Sequence, residues 1–314
     1  MRIVLGYAHG TVGDGCERQR NGVCSGSGAG LLVGIQIKNP HLPESRYLIR
    51  LDKSWYQPAM AQDQADTELR YPRPPITEAV IERRFAIQLT HQELENLRTE
   101  FERTYPAIQP MAELAIALPN DGSQPTMSQT HTGYRLVNNA GTAIILLTNL
   151  SIAYARLAPY PGWHEFGSEA SNVFKVARDI LGFRTLVRIG VRFVNRLDIP
   201  ESLTETGRLG VHPLEDYLLV TPNYPEQVIP SINAFTLQCT FPLPQVESQG
   251  TINVASMTSP VPNHVSFIFD IDIGKMVNVP QKEDNITALL DSLRHEKNRI
   301  FEFCLTPKMK DLFK

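Results

Sequence analysis

Three arginines recur at every fourth residue in the segment RIGVRFVNRLDIP, residues 188–200. Successive side chains of a β-strand point to opposite faces, so Arg188, Arg192 and Arg196 would share one face of a strand. A row of three guanidinium groups is costly unless carboxylates, phosphates or water neutralise it. The opposite parity is apolar and holds Val187, Ile189, Val191, Phe193 and Leu197. The segment therefore predicts a strand with one core face and one functional face.

Two other segments pair a charged parity with an apolar one. Glu78 and Glu82 alternate with apolar residues within 76–89, and Asp270 and Asp272 do so within 264–273. If these strands lie beside the arginine strand, the four carboxylates would face the three guanidinium groups. The planar fork of arginine binds two oxygens at once, so carboxylate or phosphate would suit it.

Three interpretations of this face remain open. It is a solvated sheet face with weak cross-strand ion pairs, a groove for an anionic or mixed-charge ligand, or a metal-assisted hydrolytic site that uses Asp270 and Asp272. The sequence singles out no catalytic residue and no metal ligands. We expect no cofactor, since Gly26-Ser-Gly28-Ala-Gly30 lacks the lysine and the preceding strand of a phosphate-binding loop.

Bulk composition is that of an ordinary globular protein. The 314 residues are 42% hydrophobic and 20% charged, with a formal net charge of −3. This balance argues against a chain coated in basic charge for indiscriminate nucleic-acid binding, although a local basic stripe leaves nucleic acid open as a ligand. Apolar runs such as 143–147 are too short to span a bilayer, and no secretory signal is evident. Four scattered cysteines favour a reducing, cytoplasmic setting.

The first 59 residues differ from the rest of the chain. Residues 1–34 hold nine of the twenty glycines and show neither helical nor strand periodicity. Glycine-rich sequence loses much entropy on ordering and buries little surface in return. A coherent pattern begins only after Met60. We expect residues 1–59 to be a poorly ordered arm or a mis-assigned extension that precedes the true start at Met60.

The remaining pattern predicts an α+β fold in which helices pack on one face of antiparallel sheets. A strand over 76–89 precedes the capping box Thr90-x-x-Glu93 and a helix. Further strands are expected over 113–118, 134–137, 142–147 and 151–157. A helix over 163–181 follows, with Gly182 as its C-terminal cap, before the arginine strand.

The second part of the chain echoes this order of elements. Strands over 234–241, 251–257 and 264–273 precede a long helix over 284–304, and Thr306-Pro307 begins a short final helix. We therefore divide the chain into a first α+β half, 60–200, and a second, 201–314. Element order alone suggests that they are two similar strand-strand-strand-helix modules.

Four segments carry a resemblance to a known family. They are 74–85, 160–166, 188–200 and 298–313, and in this order they resemble a sporadically distributed family of uncharacterised bacterial proteins. Phe193 stands where that family usually has a tyrosine. The resemblance covers about residues 70–314 and brings no activity with it. Its scattered distribution implies mobile or defence-associated genes.

Two functions of different classes follow. The first is a non-enzymatic binding or accessory component that recognises an anionic ligand or a protein partner encoded nearby. The second is an enzyme that processes a phosphate-bearing substrate or nucleic acid with Asp270, Asp272 and the arginine stripe. The residues named for ligand or partner binding are Arg188, Arg192, Arg196, Glu78, Glu82, Asp270 and Asp272.

Overall fold

The structure is a computed structural model that describes most of the chain after residue 70. The described residues are 33–35, 47–49, 71–117, 126–203, 209–210, 214–225, 227–229, 232 and 234–314. The first two ranges, Val33–Ile35 and Tyr47–Ile49, form a short antiparallel pair. Met60, the predicted start, and the other residues of the predicted extension 1–59 lie outside the described residues. One compact unit spans Leu69–Lys314.

A nine-stranded sheet organises this unit, and every pair of neighbouring strands in it is antiparallel. Its strands are β1 Ile76–Phe85, β2 Ala107–Ala117, β3 Thr126–Val137, β4 Ala143–Thr148, β5 Ser151–Leu157, β6 Leu186–Pro200, β7 Thr236–Leu243, β8 Ser248–Met257 and β9 His264–Lys275. Their order across the sheet is β7-β8-β9-β6-β1-β5-β4-β3-β2.

Helices cover one face of the sheet, which confirms the predicted α+β class. They are α1 His91–Glu102, α2 Trp163–Leu181, α3 Glu283–Cys304 and the short α4 Pro307–Asp311. The capping box at Thr90 is present, with Thr90 Oγ1 accepting from the Glu93 amide and the Glu93 carboxylate accepting from the Thr90 amide. Helix α2 contacts β5 and α1, and α3 contacts β6 and β9.

The core lies between the sheet and these helices. On β6, Ile189, Val191 and Phe193 are at most 1% exposed, and they belong to the same cluster as Leu293 and Phe301 of α3. Burying side chains of this size stabilises the fold by roughly 1.5–3 kcal/mol each. We call this helix-packed side of the sheet the covered face and the other side the open face.

The two predicted halves contribute to one continuous sheet. Two stretches of the chain share an order of elements, in which an opening strand pairs with the last strand of a meander and a long helix follows: β1 pairs with β5 before α2, and β6 pairs with β9 before α3. The opening strands β1 and β6 lie side by side at the centre. Strand β6 lies within the first predicted half, 60–200, and in this order of elements it corresponds to β1.

Several helix and strand boundaries agree with the sequence prediction, whereas the predicted burial of Val187 does not. The helix Trp163–Leu181 and the strand Ser151–Leu157 begin and end where they were expected. Val187, placed on the apolar parity of β6, is instead 39% exposed. The β1–β6 pairing shifts register beside it, between Arg84/Phe85, so the alternation of β6 is interrupted at that point.

Candidate functional site

The open face brings together the charged residues that the sequence singled out. Strand β6 carries the arginines at its centre, and its neighbours β1 and β9 carry the carboxylates on either side. Glu78 and Asp270 are both register partners of Val194, one from each neighbouring strand. All seven predicted residues lie on these three strands: Glu78, Glu82, Arg188, Arg192, Arg196, Asp270 and Asp272.

Arg188 bridges carboxylates from both neighbouring strands. Its Nη1 donates to Glu82, and its Nη2 lies 2.8 Å from both carboxylate oxygens of Asp272. Glu82 also accepts from Arg84 at 3.2 Å, so one carboxylate serves two arginines that are register partners. The Arg188 side chain is only 14% exposed. These contacts fix the guanidinium in place and neutralise it.

Two glycines make room for that guanidinium. A Cβ added to Gly190 would lie 2.5 Å from Nη1 of Arg188, and one added to Gly274 would lie 2.7 Å from Nη2. The group therefore lies flat on the backbone of two adjacent strands, where any side chain would displace it. Gly190 belongs to the segment that the sequence singled out, but alternation alone gave it no role.

Arg192 pairs with Asp270 in a two-point contact. Its Nε and Nη2 each lie 2.9 Å from one oxygen of Asp270, and Asn253 of β8 donates to the same carboxylate at 3.1 Å. The hydrogen bonds to Asp270 raise the pKa of Arg192. The Asp270 side chain is 4% exposed, whereas that of Arg192 is 53% exposed. Arg192 thus compensates a buried carboxylate while much of its own surface faces solvent.

Arg196 departs from the predicted cross-strand pattern. Its Nε lies 3.1 Å from both oxygens of Asp198, two residues along the same strand. Asp198 also accepts from Ser266 of β9 at 2.6 Å. Arg196 therefore belongs to a second, separate group at the far end of β6.

A depression of about 350 Å³ opens beside the Arg188 group. The apolar wall of the depression is formed by Val80, Leu146 and Ala153, and its polar wall includes Glu78 and Arg192. Within the described chain, Glu78 forms no hydrogen bond or salt bridge, although its charge helps to raise the pKa of Arg192. Nη1 of Arg192 likewise has no hydrogen-bond partner among the described residues.

The charges around this depression do not cancel. Four carboxylates, those of Glu78, Glu82, Asp270 and Asp272, face three guanidinium groups, those of Arg84, Arg188 and Arg192, which leaves one negative charge. Because each of the other three carboxylates is bound by an arginine, that excess belongs to Glu78. This excess charge lies beside the apolar wall of the depression.

The geometry gives a metal little access to Asp270 and Asp272. Arg192 binds the two oxygens of Asp270 through two nitrogens, and Nη2 of Arg188 contacts both oxygens of Asp272, so a cation would have to compete with these guanidinium groups. Over the described ranges, no group of three or more His, Cys, Asp or Glu residues is placed to hold a metal ion. The described helices include none that is long and apolar enough to cross a membrane.

Four buried cations were missed by the sequence reasoning: Lys275 and Arg294, and the two covered-face residues Arg83 and Lys297. Arg83 occupies the apolar parity of β1 and is 6% exposed, with Nη1 and Nη2 each 2.9 Å from an oxygen of Glu283. Lys297 of α3 is 7% exposed. Each interrupts an apolar pattern, Lys297 between Leu293 and Ile300 at helical spacing. A charged residue within an apolar pattern was thus the sequence signal that could have identified Arg83 and Lys297 as buried cations.

No protein-family model matches this chain, and no curated protein matches it. Its chemistry must therefore be inferred from the geometry of the site.

Proposed function

We propose that this protein is a non-enzymatic binding component that recognises a protein partner through the open face around β6. In this proposal the partner inserts a basic side chain into the depression beside Glu78. The observation that carries the proposal is the carboxylate of Glu78, which no described residue pairs with, on the wall of the depression of about 350 Å³. Specific pockets commonly combine an apolar lining with a few placed polar groups.

The apolar wall indicates what kind of cation would fit. Val80, Leu146 and Ala153 would contact an aliphatic stem, while Glu78 would bind the charged end. Lysine and arginine side chains have this combination of an apolar stem and a cationic head. A protein partner would also provide carbonyl oxygens for the outer Nη1 of Arg192.

Fixed charges around the cavity also support recognition. Arg188 is held by Glu82 and Asp272 and lies on Gly190 and Gly274, so little of its rotamer freedom remains to be lost. Preorganised groups bind more tightly because the cost of ordering them is already met by folding. Opposite charges across the interface would further select the partner.

An enzyme acting on phosphate-bearing substrates or nucleic acid is the alternative proposal. It would require Asp270 and Asp272 to leave Arg192 and Arg188, and an anion would have to displace the same carboxylates from the arginine forks. We further propose a cytoplasmic location. The free thiols of Cys239 and Cys304 support it, since reducing compartments maintain thiols.

Two small probes of opposite charge test the preferred function. Butylguanidinium imitates an arginine side chain, and pentanoate is an anion of similar length. We expect NMR titration of the full chain to show binding of butylguanidinium at the depression and none of pentanoate. Glu78→Gln should weaken that binding by about threefold or more, the scale of one partly exposed ion pair.

Glu100→Gln is the matched control for this titration. Glu100 is an exposed residue of α1, so its replacement changes net charge equally without touching the open face. Its affinity for butylguanidinium should equal that of the wild type. Preference for pentanoate, or equal losses in the two variants, would contradict the proposed function.

A further inference from the structure

A second cavity opens on the covered face of the sheet, where α2 ends and α3 begins. Its volume is about 100 Å³, and its lining is partly apolar and partly charged. The described residues that line it include four charged ones, Arg83, Arg178, Arg184 and Glu283. Because the exposed ring of Phe183 also lines it, we call it the Phe183 cavity.

Three guanidinium groups share two carboxylates at this cavity. Nη1 and Nη2 of Arg83 each lie 2.9 Å from an oxygen of Glu283, and Nη1 of Arg178 lies 3.1 Å from Oε1 of the same carboxylate. Arg184 donates to Glu93 of α1. One positive charge is therefore in excess. Because Arg83 already occupies both oxygens of Glu283, that excess lies at Arg178, whose side chain is 49% exposed.

Neighbouring dipoles leave most of this excess charge in place. The Nε atoms of Arg83 and Arg184 are buried and have no acceptor within the described chain, so no oxygen offsets these two donors. The side-chain amide of Gln281 also lines the cavity, but it is held by the backbone of Leu186 at 2.9 and 3.0 Å. The end of α2 contributes about half a negative charge, which offsets only part of one guanidinium. The cavity therefore attracts an anion of low charge.

The apolar lining indicates what this anion should carry. Phe85 and Phe174 are 8% and 5% exposed and belong to the core, whereas Phe183 is 72% exposed. An aromatic guest would cover Phe183 and form the edge-to-face or offset contacts that rings prefer. A dry cavity of about 150 Å³ is large enough for benzene. The smaller volume of the Phe183 cavity would therefore admit part of a ring, and the rest would lie on Phe183.

We propose that the Phe183 cavity binds a small aromatic carboxylate, with the ring against Phe183 and the carboxylate on Arg178. The planar guanidinium can donate to both carboxylate oxygens at once. A carboxylate carries the single negative charge that balances the excess at Arg178, whereas a phosphate monoester carries about −1.5 to −2. This site lies on the opposite side of the sheet from Glu78 and does not depend on the proposed partner-binding function.

NMR titration of the full chain with phenylacetate and phenylacetamide tests this proposal, because the two probes share a shape and differ in charge. Phenylacetate should shift the resonances of Phe183 and bind about threefold or more tightly than the amide, the scale of one partly exposed ion pair. Arg178→Gln should lower the affinity for phenylacetate to that for phenylacetamide. Arg299→Gln is the matched control and should change neither affinity, because Arg299 is also 49% exposed and pairs with Glu296 away from the cavity.

The ring contact has a test of its own. Phe183→Ala should weaken both probes alike, since both carry the ring. Phe303→Ala is its control, because Phe303 is similarly exposed, at 70%, and does not line the cavity. Equal affinities of the wild type for the two probes would overturn the preference for a carboxylate. Losses no greater in Arg178→Gln than in Arg299→Gln, or no greater in Phe183→Ala than in Phe303→Ala, would overturn the assignment of the site.

Discussion

On the open face of β6 each arginine lies against a carboxylate, whereas on the covered face Lys297 lies against the ring of Phe193. The open-face guanidinium groups stay charged and ordered. The pKa of Lys297 falls to about 7, chiefly through burial. One strand thus separates a surface of neutralised charge from a site where an amine loses its charge.

Arg83 shows that burial alone does not decide this outcome. Arg83 and Lys297 are both on the covered face and similarly buried, at 6% and 7% exposed. Arg83, however, has the two oxygens of Glu283 at 2.9 Å and the Phe174 ring 4.1 Å below its guanidinium. Where a carboxylate is supplied, a buried cation can stay paired and structural. Where none is supplied, a neutral amine is the lower-energy state.

Replacing Lys297 should produce the largest effect on stability. Between pH 7 and 10.5 the unfolded chain keeps a proton on Lys297 that the folded chain has lost. Wild-type stability therefore gains up to about 1.4 kcal/mol per pH unit from this group as pH rises through that window. Lys297→Met should lack this gain and be more stable than the wild type by several kcal/mol at pH 7.

Chemical denaturation of wild type and variant across pH 7–10 measures this difference. Lys297→Arg is the matched control, because its charge stays on and its stability should be low throughout the window. Identical pH slopes for the wild type and Lys297→Met would show that Lys297 is charged in the folded protein, and the contrast between the two faces would fail.

Arg192→Ala should have the next largest effect. Without its bidentate partner, the Asp270 carboxylate, at 4% exposed, would keep only the hydrogen bond from Asn253. We expect a loss of about 3 kcal/mol in the free energy of unfolding. Arg196→Ala is the control, since Arg196 and Asp198 are more exposed, at 35% and 24%, and should cost about 1 kcal/mol or less.

A second substitution sharpens the result for Arg192. Asp270→Asn in the Arg192→Ala background removes the uncompensated charge and should recover part of the lost stability. Equal, small losses for Arg192→Ala and Arg196→Ala would show that the Arg192–Asp270 pair is no more than a surface ion pair. Arg192→Ala cannot separate binding from stability, because Arg192 both compensates the buried Asp270 and lies at the side of the proposed binding site.

Gly274→Ala should have the smallest effect on stability. The added Cβ would meet the end of the flexible Arg188 side chain, which can move away from it. We expect a loss of about 1 kcal/mol, mostly from the broken contacts of Arg188 with Glu82 and Asp272. In a double-mutant cycle with Arg188→Ala, the two losses should therefore not add. Full additivity would show that Gly274 does not hold Arg188.

Alternation along the strands was sufficient to predict much of the open face. It placed Arg188 and Arg192 on one side of β6, because the two-residue period of a strand is a local property, and it put Glu82 and Asp272 beside them on the condition that the three strands were neighbours. Helix boundaries were equally local, as the cap at Thr90 and the end of α2 at Leu181 show. The α+β class followed from these elements.

Pairing and packing lay beyond what the sequence could predict. Two features depend on strand register and side-chain direction across the sheet: Arg196 pairs within its own strand, and Glu78 has no hydrogen bond or ion pair among the described residues. The role of Gly274 required knowing that β9 lies next to Arg188. Lys297 interrupts a helical apolar pattern, but only the packing of α3 shows that it lies against the Phe193 ring and forms no salt bridge within the described part of the chain.

Charge reversal at Glu78 tests the central claim about the open face most directly. Glu78→Lys changes the one excess negative charge beside the depression to an excess positive charge. The ratio of butylguanidinium to pentanoate affinity, measured by NMR titration, should invert from a preference for the cation to a preference for the anion. An unchanged ratio in a folded Glu78→Lys protein would contradict the account, because the guest's charge would then not be selected by Glu78.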